Sequence, residues 1–139
     1  MSKRPKRDRP RPDVPRRLEA HELLQFWEAG VFGAAWRDLK LDTDDLLDLQ
    51  MEIILRPTAA PVVPGTDGLR KLRFSPRRWS KGKRGSVRVG YVHFDDYRVV
   101  LLIVAYAKNE QDDLSSAGRK AIRNLIDRER KALEKGRTR

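Results

Sequence analysis

The chain has 139 residues, no cysteine, a mean hydropathy of −0.70 and a net charge of +11. That size suits one domain with a modest core, and the missing thiols exclude a disulfide framework and thiolate metal ligation. No apolar run reaches the roughly 18 residues of a membrane span and no apolar signal core follows the basic N-terminus, so a soluble, cytoplasmic protein without a membrane partner is expected.

Charge is distributed unevenly. Residues 1–17 carry +6, residues 18–68 carry −7 and residues 69–139 carry +12. A chain acidic in the middle and basic afterwards has an oriented field that favours a polyanion on one side. Residues 1–17, MSKRPKRDRPRPDVPRR, are rich in Pro and Arg and poor in apolar groups. They read as a disordered basic tail, leaving 18–139 as a single folded domain.

Between Leu18 and Leu41, Gly30 and Gly33 interrupt any long helix, so the pattern predicts a short strand or helix and then a helical turn, with Trp27 and Trp36 as core aromatics. LDTDDLLDLQMEIILRP is helical: Asp42 or Thr43 caps it, acids crowd its first turn, and Leu46, Leu49 and Ile53 share a face. A loop, TAAPVVPGTDG, follows. LRKLRFS, SVRVGYVHF and RVVLLIVAYA read as strands, the last two joined at Asp95-Asp96, and the near-continuous apolar run of the last predicts a central position. SSAGRKAIRNLIDRERKALEKG reads as a helix capped by Ser115 or Ser116 and ended by Gly136, its apolar stripe being Ala121, Ile122, Leu125, Ile126 and Leu133. The order predicts an α+β fold whose antiparallel or mixed sheet packs against N-terminal helices and a C-terminal helix.

From Arg70 to Arg88 the chain carries nine Lys or Arg and no Asp or Glu. Period-two alternation puts Lys71 and Arg73 on one sheet face and Arg70, Leu72 and Phe74 on the other, with Arg88 beside Ser86 and Gly90 and opposite Val87, Val89 and Tyr91. Val87, Val89 and Leu72 are expected beneath the final helix, and Lys71, Arg73 and Arg88 on an open face. Arg77, Arg78, Lys81, Lys83 and Arg84 lie in the connection, where Trp79 either stacks on a base or folds onto the core. A basic face is often only solvated surface. Nine unopposed cations on and between strands point instead to a negatively charged ligand. His21 and His93 are isolated and make no metal site; no nucleotide-hydrolysis, serine or zinc motif is present.

VPGTDGLRKLRF, GKRGSVRVGYVHFDD and VLLIVAYAKNEQDDLSSAGRKAIRNLI together resemble the RelE/HigB superfamily of type II toxin–antitoxin toxins, in particular its HigB-like branch, over about Asp42 to Lys135. The resemblance implies a RelE-like fold and a ribosome-dependent mRNA endoribonuclease (an mRNA interferase) that needs no cofactor or metal. It also implies a cognate antitoxin, of the helix-turn-helix kind with acidic groups, and the ribosome and mRNA as partners. Lys71, Arg73, Arg88 and Lys108 match the family's catalytic basic positions; Arg70, Arg77, Arg78, Trp79, Lys81, Lys83 and Arg84 are the candidate RNA contacts. The chain departs from many RelE members at Asn109, after Lys108, and at Ser115, about where they carry a stacking tyrosine. Tyr91, Tyr106 and Trp79, each read first as a core residue, are the substitutes. Two alternatives stand beside the nuclease: a ParE-type toxin acting on DNA gyrase, and an inactive nucleic-acid-binding homologue.

Overall fold

The structure, a computed structural model, describes residues 23–79, 86–107 and 115–137. Four strands, β1 (Gln25–Glu28), β2 (Arg70–Phe74), β3 (Val87–Phe94) and β4 (Val99–Ala107), form one sheet in the order β1-β4-β3-β2. β4 runs antiparallel to β3 and parallel to β1, and β3 runs antiparallel to β2, so the sheet is mixed and β4 is central. Helices α1 (Phe32–Asp38) and α2 (Thr43–Leu55) precede β2, and α3 (Ser116–Arg137) follows β4. The predicted basic tail, 1–17, lies outside the described residues.

Each face of the sheet has its own core. On one, Phe32, Trp36, Leu41, Leu49 and Ile53 from the α1–α2 region pack against Phe74, Val87, Val89, Tyr91, Val100, Leu102 and Ala105. Trp36 joins the two layers, stacking on Phe32 at 5.5 Å and on Phe74 at 5.9 Å between ring centroids. On the other, Ile122 and Ile126 of α3 cover Leu69, Val92, Phe94, Val99, Leu101 and Ile103. Val87, Val89 and Leu72 therefore lie beneath α1 and α2, not beneath the final helix as the sequence suggested. Alternation fixes which residues share a face but not which helix covers it. Ala121 is exposed and leaves the predicted stripe of α3, and Gly136 lies inside the last turn, not after it.

Local chemistry sets the ends of the elements. Asp42 and Asp45 cap α2 reciprocally: Asp45 N–H donates to Asp42 Oδ1 at 2.9 Å and Asp42 N–H to Asp45 Oδ2 at 2.8 Å. At α3, Gly118 N–H donates to Ser115 Oγ at 3.0 Å. Between β3 and β4 a single 3-10 turn, Asp95–Tyr97, ends on Arg98 in the left-handed region, at φ 56°. Before β2, the buried Thr66 closes a turn, donating to the Val63 carbonyl at 2.6 Å and accepting from Leu69 N–H at 3.1 Å.

β4 carries one bulge. Gly90 pairs with Val104 and Tyr91 with Leu102, so Ile103 has no opposite residue. Gly90 itself is tightly enclosed: a Cβ there would meet Val104 Cγ2 at 2.7 Å and Leu69 Cδ1 at 3.2 Å. Val104 is β-branched and stiff, so Gly90→Ala should lower stability by about 1–3 kcal/mol, read as a fall in denaturation midpoint.

His93 of β3 pairs with Val100 of β4, and only 8% of its side chain is exposed. Burial, reinforced by Arg70, lowers its pKa below 6.5, against the pull of Asp95, 3.8 Å away. The unfolded chain protonates this histidine more readily than the folded one. Its contribution is therefore complete above the unfolded value and lost as pH falls below about 6.5. His93→Gln should flatten the decline in melting temperature between pH 7 and pH 5.5.

Candidate nucleic-acid interface

The cations of the ribbon are sorted by the strands that carry them. Leu72 and Phe74 face the α1–α2 core, as do Val87 and Val89. Lys71, Arg73 and Arg88 must then point to the opposite side, towards α3. Pairing places Arg73 directly across from Arg88, Arg88 across from Tyr106, and Lys71 across from Gly90. Arg73, Arg88 and Tyr106 thus form one row over three strands, with Lys71 in the next. α3 begins beside this end of the sheet, since Arg119 of its first turn lines a small cavity with Lys71 and Tyr106. That first turn holds no acidic residue, and the helix dipole adds positive potential there.

Directly opposed like charges on an antiparallel pair are destabilising. Arg73 is exposed and Arg88 half-buried, its Nη1 donating to Ser86 Oγ at 2.8 Å. The fold therefore holds two guanidinium groups in facing positions at some cost, an arrangement suited to charge brought by a ligand. Alternation along the sequence predicts the shared face; it cannot predict the register that sets Arg73 against Arg88.

The other ribbon residues go elsewhere. Arg70 lies on the helix side and its Nη1 donates to the carbonyls of Thr58 and Ala60 at 3.0 and 2.6 Å, holding the chain before β2. Arg78 binds the buried Asp45 through Nε, at 3.0 and 3.2 Å, and through Nη2, at 2.8 Å; Nη2 also donates to the Lys40 carbonyl at 2.8 Å. The hydrogen bond to Asp45 raises the Arg78 pKa further above its usual range. Arg77 lines a cleft of about 430 Å³ with Asp48, Glu52 and Phe74, again on the α2 side. Burial raises the Glu52 carboxyl there above its ordinary pKa, with Arg56 opposing. Trp79 packs against the α1–α2 core. Lys81, Lys83, Arg84 and Lys108 lie outside the described residues.

Of the aromatics, Tyr91 is fully buried and donates to the Pro57 carbonyl at 2.7 Å; burial, the largest cause, raises its pKa. It belongs to the core, whereas Tyr106 is half-buried beside Lys71. No cluster of metal-ligating side chains occurs among the described residues, and none of their helices is long and apolar enough to cross a membrane.

These elements define an α+β domain with a mixed four-stranded sheet, one end of which carries a basic row. No family model matches the sequence. Among solved structures, the chain is similar to a double arginine-to-alanine mutant of the E. coli toxin RelE in its free state. The match has 17% sequence identity and a TM-score of 0.46, and covers 65% of this chain and 88% of that one.

Proposed function

We propose that the chain is the toxin of a type II toxin–antitoxin pair, of the RelE/HigB kind, and that it cuts mRNA in the ribosome. The observation that carries this reading is the facing pair Arg73 and Arg88, with Lys71 and Tyr106 beside it, on the sheet face towards α3. The motif resemblance of residues 42–135 supports the same reading.

RNA cleavage requires a deprotonated 2′-OH aligned with the adjacent phosphorus, a stabilised pentacoordinate phosphorane and a protonated leaving oxygen. Cations fixed on strands supply the second by preorganised electrostatics. General acid–base work favours a group titrating near neutrality. A lysine starts near roughly 10.4 and would need a depression of about three units, or ~4 kcal/mol, to serve as an efficient base. Cationic neighbours depress a lysine and bound phosphate raises it. A site weak in proton-transfer groups fits an enzyme whose geometry is completed by the ribosome. An antitoxin that silences it would cover this basic face with acidic groups, and its binding would weaken with salt.

Mapping mRNA ends by primer extension after induced expression tests the proposal. Cuts phased with codons are expected in cells, with negligible cleavage of naked RNA by the purified protein. DNA damage with intact mRNA would indicate a gyrase poison, and neither lesion an inactive binding module.

A further inference from the structure

Arg119, in the first turn of α3, lines a cavity together with the basic face. Its stem runs beside the Pro64-Gly65 turn, where a Cβ on Gly65 would lie 3.8 Å from Arg119 Cδ. Its Nε is buried and has no hydrogen-bond partner among the described residues. The cavity, of about 20 Å³, is shared with Lys71, Gly90, Val104 and Tyr106: two cations and a phenol, with no carboxylate among the described residues that line it. A buried N–H without an acceptor is unfavourable, and so is a cation in a helix's first turn. One ligand class relieves both costs, an anion that offers an oxygen to Nε. The cavity has room for about one oxygen atom, so a single oxygen enters while the rest of its group stays on the open side. We propose that Arg119 is a further substrate-binding residue, donating from Nε to a phosphoryl oxygen of an RNA phosphodiester held between α3 and Lys71 of β2.

This inference rests on the nucleic-acid reading of the basic face, and the test separates the two. Binding of the full-length protein to a short labelled single-stranded RNA is measured by anisotropy over a range of salt. Arg119→Met should weaken binding about tenfold at low salt and reduce the magnitude of the log–log salt slope by about 0.7. Its melting temperature should equal or exceed that of the native chain, because an unpaired donor has been removed. Arg119→Lys keeps the charge but lacks the Nε donor, so it should retain the slope and lose affinity several-fold; it decides the matter alone if the methionine variant does not fold. Arg123→Met, at an exposed position of the same helix, should stay within about twofold of the native affinity. Native binding by Arg119→Met, a loss no larger than that of Arg123→Met, or native affinity in Arg119→Lys would overturn the contact. If Lys71→Met weakens binding and Arg119→Met does not, the inference fails and the basic face stands. If neither does, the basic face fails too.

Discussion

Arg88→Ala is expected to abolish growth arrest on induced expression while leaving the melting temperature within a few degrees of the native value. The side chain is half-buried and makes a hydrogen bond to Ser86 Oγ, but it lies on the face away from the α1–α2 core and its loss opens no cavity there. Removing it also relieves the repulsion with Arg73 across the strand pair, so stability should change by no more than about 0.5–1 kcal/mol. Function should respond far more strongly. Losing one preorganised charge at a developing phosphorane costs on the order of 10²–10³ in rate by analogy with removing an oxyanion donor. A variant that melts like the native chain and still arrests growth would place the active face elsewhere.

Asp45→Ala should be among the most destabilising single substitutions outside the hydrophobic core. The carboxylate has no exposed surface and accepts from Asp42 N–H and from Arg78 Nε and Nη2. It thereby joins the start of α2 to the segment after β2, and Arg78 in turn holds the Lys40 carbonyl at the end of the α1 turn. Loss of an N-terminal capping interaction costs about 1 kcal/mol. The charged hydrogen bonds add about 1–2 kcal/mol, discounted because 43% of the Arg78 side chain is exposed. The total of about 2–3 kcal/mol corresponds to a fall in melting temperature of roughly 5–12 °C. Arg78→Ala should cost less, because the reciprocal cap of Asp42 and Asp45 survives, and the double variant should show coupling. If Arg78 acts chiefly on RNA, Arg78→Ala will weaken RNA binding and leave the melting curve unmoved.

Much of the fold and part of the site are legible in the amino-acid sequence. The cap at Asp42, the periodic stripe of α3 and the hairpin at Asp95-Asp96 rest on local rules, and the fold has all three, with Ala121 outside the stripe. Splitting Lys71 and Arg73 from Arg70 needs only the alternation of a strand, and Arg70 indeed turns back to the carbonyls of Thr58 and Ala60. Pairings across long separations are not legible. Arg78 and Asp45 stand 33 positions apart, and nothing in their neighbourhoods links them, so Arg78 reads as one more cation of the ribbon. Arg119 reads as polar surface on an amphipathic helix, because spacing says nothing about what a helix's first turn meets. The bulge is hidden for a different reason: VVLLIVAYA is apolar almost throughout, so no change of phase shows in it.

That hidden residue separates the two ends of β4. Before it, even positions face α1 and α2, as Val100 and Leu102 do; after it, odd positions do, as Ala105 does. Ile103 and Val104, adjacent in sequence, both side with α3. Ile103 is thus a spacer that resets odd–even parity within one strand. Were the same residues zipped flat, each with an opposite number, Gly90 would meet Ile103, Arg88 would meet Ala105, and Tyr106 would swing round among the helices of the other layer. The apolar side chains of β4 suit either arrangement, so hydrophobicity alone does not choose between them. Gly90 weighs on the choice, because a position without a Cβ lets Val104 close over it. The aromatic member of the basic row therefore owes its side of the molecule to a parity step three residues upstream, made by side chains that carry no charge.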